Sequence, residues 1–166
     1  YTTLFRSPPT SAPITAATQL KPGEWIWAPQ ASPDGPVTIL VDLSRQVATD
    51  DRRLRARHVD FASPAGYGRM RGYLVHPAAA AGPLPGVLVV HENRGLNPHI
   101  EDIARRLALD NFVAFAPDAL SPLGGYPGDE DRARELFPKL DQTKTHEDFV
   151  AAAAFLGARV AGPSVV

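Results

Sequence analysis

The pattern of apolar and polar positions becomes regular from about position 58 onward. Residues 58–63 (HVDFAS) and 68–77 (GRMRGYLVHP) flank the turn PAGYG and indicate a β-hairpin. Residues 86–92 (GVLVVHE) begin with a continuous apolar run, as expected of a strand that is covered on both faces. A second strand of this kind, NFVAFAPD, occupies residues 111–118. The pattern therefore predicts four strands in this part of the chain.

Helices are predicted between and after these strands. Asn97 is placed to cap a helix that has Pro98 at its first position. This helix buries one stripe of residues at helical spacing, namely Ile100, Ile103, Ala104, Leu107 and Ala108. A polar helix is predicted near 129–138, and a last helix from about Thr145, with Asp148 in a variant of the capping box.

The resulting order of elements is β-β-β-α-β-(α)-α, which predicts an α/β fold. A strand, a helix and a second buried strand imply a right-handed crossover, and hence a mostly parallel sheet with an amino-terminal hairpin. The charged stretch at 48–58 (ATDDRRLRARH) is expected to be a solvated connector rather than a phosphate-binding patch, because Asp50 and Asp51 flank its arginines and the net charge of the chain is near neutral.

The amino-terminal segment, residues 1–46, differs in composition and forms a separate unit of the predicted organisation. It is rich in proline and is expected to be irregular, with Trp25 and Trp27 anchoring it and a short strand at 36–44. Its stretch PGEWIWAPQASPDGPVTILVDLSRQ, within residues 21–46, resembles the segment that precedes the catalytic domain of L,D-transpeptidases. The catalytic motif of that family does not follow, so no activity carries over. A natural fusion and a chimera of sequence assembly are both compatible with this join.

Composition and charge exclude several classes of function. Hydrophobic residues make up 44% of the 166 positions and charged residues 21%, which is typical of a globular protein. The net charge of -1 gives no general attraction to nucleic acid or to acidic membranes. No apolar run approaches the roughly 20 residues that span a bilayer, so no membrane role is expected. Cysteine is absent, which excludes disulfides and thiol chemistry within the chain.

Four polar residues, His91, Glu92, Asn93 and Arg94, end the apolar strand at 86–92. Ligand sites of open α/β sheets lie beyond the carboxyl ends of the strands, so this position favours a site over a solvated turn. Asp118 ends the next buried strand and is expected at the same edge of the sheet.

Other chemical roles are also open to some of these residues. A metal site at His91, Glu92 and His99 is not expected, because these residues lack the spacing of a helical HExxH motif. His91 is instead expected to be a structural hydrogen-bonding group. Arg94 has two equal interpretations: it binds an anionic substrate, or it pairs with Glu101 or Asp102.

The stretch VLVVHENRGLNPHIEDIARRLALDNFVAFAPDALSPLGG resembles the dienelactone hydrolase family, a branch of the α/β hydrolases. The resemblance extends over about residues 47–159, so residues 47–166 are interpreted as the amino-terminal part of such a domain. It implies a partial α/β-hydrolase fold with three layers, α/β/α. It also implies that Glu92 controls the ionisation of a nucleophilic thiol and that Asn93 donates its backbone N–H to an oxyanion hole. Burial at the strand end would raise the pKa of Glu92 and suit it to exchange a proton with a thiol.

The chain departs from the family pattern at the nucleophile. The family carries Gly-x-Cys-x-Gly on the strand after the last helix, and this chain has neither cysteine nor Gly-x-Ser-x-Gly. The nucleophile, acid and base are therefore expected outside the chain, which is interpreted as an inactive fragment. It begins without methionine and ends soon after a helical pattern, as a fragment would. The resemblance also predicts that the strand at 86–92 lacks one neighbour, so that Val87 and Val89 form an exposed edge capable of self-association.

The predicted function is hydrolysis of a small-molecule carboxylic ester or lactone by the parent enzyme, without a cofactor. Dienelactone itself is not expected as substrate, because the loop PDALSPLGGYPG lacks the arginine that grips its carboxylate in the family. A non-catalytic module that binds the cell envelope or a partner through its Trp/Pro-rich segment is the alternative. Both resemblances are to exported proteins, which favours the periplasm or export, with the cytoplasm as the alternative.

Overall fold

The computed structural model describes residues 46–80 and 82–160, and the backbone of residues 164–165. The tryptophan-containing segment, the strand predicted at 36–44 and the stretch that resembles L,D-transpeptidases lie outside the described residues, apart from Gln46.

A β-hairpin forms the first part of the described fold. Strand β1 (Leu54–Ser63) pairs antiparallel with β2 (Gly68–Pro77) over all ten residues, so the predicted hairpin is confirmed. β1 begins four residues earlier than expected, within the stretch that we interpreted as a connector. β1 lies at the edge of the sheet, and exposed arginines such as Arg55 and Arg57 are typical of an edge that avoids pairing with other chains.

Within the described part of the chain, five strands form one sheet in the order β1-β2-β4-β3-β5. The central strands are β3 (Gly86–Leu88) and β4 (Val113–Asp118), which are parallel to each other. β4 also pairs antiparallel with β2. The sheet is therefore mixed, with two antiparallel and two parallel pairs, and its parallel half is smaller than the sequence pattern predicts. The α/β class is confirmed.

Strand β5 (Ser164–Val165) pairs parallel with Gly86 and Val87 of β3. The expectation that β3 lacks this neighbour and exposes an apolar edge is therefore wrong. Val87 and Val89 are both buried. The sequence pattern concealed β5 because two residues are too few to produce a recognisable alternation.

In the described residues, three α-helices connect and cover the strands. Helix α1 (Pro98–Leu109) begins as predicted, since the Asn97 side chain accepts a hydrogen bond from the N–H of Ile100 at 3.0 Å. Helix α2 (Glu130–Leu136) is capped by Asp129 and flanked by the short 3-10 turns Ser121–Leu123 and Phe137–Lys139.

Helix α3 (Gln142–Gly157) begins three residues before the predicted start at Thr145. Its cap is Asp141, whose carboxylate accepts hydrogen bonds from the N–H groups of Thr143 and Lys144. Asp148 is therefore not a capping residue. It is buried within the helix and accepts a hydrogen bond from the N–H of Tyr67 at 2.9 Å, which ties α3 to the hairpin turn.

Among the described residues, an apolar core covers each face of the sheet. Side chains that alternate along each strand divide between them, so Val87 packs with helix α1 while its neighbour Leu88 packs with helix α3. In β4, Ala114 and Phe115 divide in the same way. This arrangement gives the three layers, α/β/α, that the resemblance implies.

Candidate active site

The polar turn that follows β3 lies at the carboxyl edge of the parallel strands. The backbone of Val89 still donates to the carbonyl of Phe115 at 2.8 Å, and the chain leaves the sheet after that bond. β4 ends at the same edge with Asp118. The structure thus brings together the two polar strand ends that the sequence pattern singled out.

His91 is a structural group, as predicted. Its ring is buried, and its Nε2 accepts a hydrogen bond from the N–H of Ala119 at 3.0 Å. Nδ1 therefore carries the proton and donates to the carbonyl oxygen of Glu92, 2.7 Å away. Burial lowers the pKa of His91, so the neutral ring is favoured. His91 joins the turn after β3 to the loop after β4.

Asp118 is also committed to structure. Its carboxylate is buried and accepts hydrogen bonds from three backbone N–H groups, those of Leu96 (3.3 Å), Leu120 (3.0 Å) and Tyr126 (3.2 Å). These donors belong to the turn after β3 and to the loop after β4. Asp118 therefore holds both loops against the sheet and has little capacity left for a ligand.

Gly95 allows the turn after β3 to pack tightly on that loop. Its φ of 68° lies in the left-handed region, which other residues rarely adopt. A Cβ atom there would lie 2.6 Å from Cδ1 of Leu120. The turn is thus fixed in position by a glycine, a buried histidine and a buried aspartate.

Glu92 and Asn93 project from this fixed turn into solvent. Within the part of the chain that the structure describes, the Glu92 side chain makes no hydrogen bond or ion pair. The burial of Glu92 that the resemblance implies is not found, because its side chain is exposed. The catalytic roles of Glu92 and Asn93 stay predictions.

Arg94 pairs with Glu130, the first residue of α2, through an Nη1–Oε2 contact of 2.8 Å. The predicted pairing with Glu101 or Asp102 is wrong. Glu101 instead contacts His58 of β1 at 3.0 Å, and Asp102 binds Arg106 of the same helix at 2.8 Å. The sequence does not identify Glu130 as the partner of Arg94, because the two residues are 36 positions apart and no motif links them.

A depression of about 290 Å³ adjoins the exposed residues of the turn. Its polar lining includes Glu92, Arg94, Asn97 and His99. The apolar part of its lining is contributed by Val90, Ile100 and Ile103. A larger cleft of about 560 Å³ opens on the hairpin side, between β1, β2 and the loop after β4.

Among residues 46–80 and 82–160, no group of three or more His, Asp or Glu side chains is arranged to hold a metal ion. In the same part of the chain, no helix has the length and apolar character needed to cross a membrane.

Comparison with known proteins connects this architecture to one family. The sequence model of the "Dienelactone hydrolase family" matches residues 70–161. The "Putative hydrolase fragment YghX" of Escherichia coli K12 is 52% identical over 101 residues, which cover 61% of this chain and 86% of that protein. A "Putative carboxymethylenebutenolidase" of the same organism is 46% identical over 55 residues, which cover 33% of this chain and 20% of that protein.

Solved structures agree with these relatives. A "Putative Dienelactone Hydrolase" from Klebsiella pneumoniae superposes with a TM-score of 0.52 at 28% identity, covering 65% of this chain and 46% of that one. The "Dienelactone Hydrolase-like" phosphotriesterase P91 from metagenomic libraries gives 0.50 at 29% identity, covering 65% and 44%. This chain thus spans less than half the length of each of these two solved proteins. Because the family's model matches more than half of its residues, the chain belongs to the dienelactone hydrolase family.

Proposed function

We propose that this chain is the amino-terminal part of a carboxylic ester or lactone hydrolase whose thiol nucleophile lies outside it. In this proposal, Glu92 controls the ionisation of the thiol and the N–H of Asn93 contributes to the oxyanion hole. Donors of this kind stabilise the charge that develops on the carbonyl oxygen in acyl transfer.

One observation carries the proposal: β5, the strand that follows α3, runs parallel to and beside β3. β3 leads into the turn that bears Glu92 and Asn93. Parallel neighbours end at the same edge of a sheet, so a residue at the end of an extended β5 would face this turn. The family pattern described above places the nucleophile on that strand.

The chain by itself is proposed to be inactive, because it contains no cysteine and no Gly-x-Ser-x-Gly sequence. Without nucleophile and base, at best the weak effect of an oxyanion hole and of substrate binding is left. Purified 1–166 is therefore expected to hydrolyse p-nitrophenyl acetate no faster than its Glu92→Ala variant. A turnover that depends on Glu92 would contradict the location of the nucleophile outside the chain.

The role of Glu92 is tested in a parent protein that carries the nucleophile. Glu92→Gln is expected to lower the rate of acylation and to change the pH–rate profile, because the amide cannot exchange a proton with the thiol. Glu135→Gln, an exposed change on α2 away from the turn, is the matched control and is expected to leave the profile unchanged. An identical profile for wild type and Glu92→Gln would contradict the proposal.

The proposed substrate is a small uncharged ester or lactone, and the proposed location is the periplasm or the exterior. The substrate class is supported by the loop at 117–128, which contains no basic side chain. The location is supported only by the two sequence resemblances, and fractionation of cells that express the parent protein would test it.

A further inference from the structure

The carboxylate of Glu130 joins the exposed turn to α2. Its Oε2 accepts a hydrogen bond from Nη1 of Arg94 at 2.8 Å, and its Oε1 accepts one from Nδ2 of Asn97 at 3.1 Å. The other end of the Asn97 amide accepts the N–H of Ile100, which fixes the direction in which Nδ2 points. Arg94 and Asn97 therefore form a fork of two donors, one of them charged, that binds both oxygens of one carboxylate.

Such a fork has the chemistry of a carboxylate-binding site, since a cationic donor and an amide donor together match the two oxygens of the group. Both donors also line the depression of about 290 Å³ beside Glu92. A molecule that entered this depression with a carboxylate of its own would compete with Glu130 for Nη1 of Arg94 and Nδ2 of Asn97.

The charges around the depression also disfavour binding of an anion. Glu92 lines the depression, and Glu130 binds two of its lining residues, Arg94 and Asn97. The two carboxylates contribute two negative charges beside the positive charge of Arg94. An incoming anion thus meets a net negative environment, whereas an uncharged ester does not, so the difference affects selectivity between the two classes.

We propose that Glu130 determines specificity: by occupying the fork of Arg94 and Asn97, it makes the depression beside Glu92 accept uncharged esters and lactones in preference to carboxylate-bearing ones. That these esters and lactones are substrates rests on the proposed function. The binding preference does not, because it depends only on the contacts of Glu130.

The pair is well suited to a test by mutation. The side chains of Arg94 and Glu130 are each 47% exposed, and exposed pairs of this kind contribute little to folding. Glu130→Gln removes the charge and keeps the shape of the side chain, and Glu130→Ala removes both oxygens. Both variants are expected to fold, which the amide spectrum of the β-hairpin would verify.

The experiment titrates ¹⁵N-labelled 1–166 with butyrate, and separately with its uncharged counterpart methyl butyrate, at constant ionic strength. The reporters are the backbone amides of residues 94–97 and the side-chain amide of Asn97. Butyrate is expected to bind Glu130→Gln and Glu130→Ala about fivefold more tightly than wild type, the upper range for loss of an exposed ion pair. Methyl butyrate is expected to bind all three proteins equally.

Two controls locate the effect. Glu135→Gln removes the same charge from the same helix away from the fork and is expected to match wild type. Adding Arg94→Gln to Glu130→Gln is expected to abolish the gain in butyrate affinity. Equal butyrate affinity in wild type and Glu130→Gln, no butyrate binding to Glu130→Gln, or an equal gain in Glu135→Gln would each overturn the proposal. None of these results requires hydrolysis, so they are independent of the turnover test for Glu92.

Discussion

Two carboxylates lie at the carboxyl edge of the neighbouring parallel strands β3 and β4, and their surroundings are opposite. Asp118, after β4, is buried and accepts hydrogen bonds from three backbone N–H groups. Glu92, in the turn after β3, is exposed and has no partner among the residues that the structure describes. The position at the carboxyl end of a strand is the same for both. What separates a structural acid from a candidate catalytic one is whether the fold has already used its oxygens.

His91 and Gly95 belong to the structural side of this comparison although they flank Glu92 in the sequence. The buried ring of His91 and the left-handed backbone of Gly95 fix the turn from which Glu92 and Asn93 project. A rigid support beneath exposed functional groups reduces the cost of ordering them when a substrate binds. The comparison therefore predicts large effects on stability for the supporting residues and small ones for Glu92.

The largest expected effect is that of Asp118→Ala. This change leaves the backbone N–H groups of Leu96, Leu120 and Tyr126 without their acceptor, two of them on buried residues, and an unpaired buried donor costs about 1–3 kcal/mol. We expect the free energy of unfolding in urea to fall by about 3 kcal/mol or more. A loss below about 1 kcal/mol would mean that the hydrogen bonds of Asp118 contribute little to stability and that the contrast with Glu92 does not hold.

His91→Ala is expected to have the next largest effect, about 2 kcal/mol, because it removes the acceptor of the buried Ala119 N–H and leaves a cavity. His91→Gln is the conservative control, since its side-chain oxygen can accept the same bond. Urea denaturation at neutral pH measures both variants. Equal losses for the two would show that packing, not the hydrogen bond, is what His91 contributes.

His91 also makes stability depend on pH. Burial lowers its pKa in the folded protein from the ordinary value of 6.5, so unfolding takes up a proton as the solution becomes acidic. The contribution of neutral His91 is therefore complete above pH 6.5 and is lost as the pH falls through the lower folded-state pKa. Between about pH 7 and 5, wild type is expected to lose more stability than His91→Gln. Curves of unfolding free energy against pH that run parallel for the two proteins would contradict this prediction.

The smallest expected effect is that of Glu92→Gln on folding. The side chain is exposed and unpaired within the described residues, so the free energy of unfolding is expected to change by no more than about 0.5 kcal/mol. Thermal and urea unfolding of the variant beside Asp118→Asn would measure the contrast directly. A large loss for Glu92→Gln would remove the distinction between the two strand ends.

Much of the fold was predictable because its signals are local. The cap of Asn97 and the apolar run of β4 are confirmed. Of the stripe predicted in α1, Ala104, Leu107 and Ala108 are buried, whereas Ile100 and Ile103 are half-buried. Each of these signals depends on residues within a few positions of one another. The start of α3 was misplaced because Thr145 and Asp148 imitate a capping box, whereas the Asp141 carboxylate binds the first free N–H groups. The sequence pattern starts β1 at residue 58 instead of Leu54, because the arginines before residue 58, which suit an exposed edge strand, are also typical of a charged connector.

The candidate site depends both on the local sequence and on the tertiary structure. Local sequence alone placed four polar residues at the end of an apolar strand, and the family pattern carried by the same block gave Glu92 and Asn93 their predicted roles. The partner of Arg94, the burial of Asp118 and the pairing of β5 with β3 were decided only by the folded chain. These features join residues between 22 and 78 positions apart, and spacing along a sequence carries no information about which distant groups meet. Hydrogen bonds and burial are satisfied in three dimensions, so the commitment of a charged group is a property of the tertiary structure.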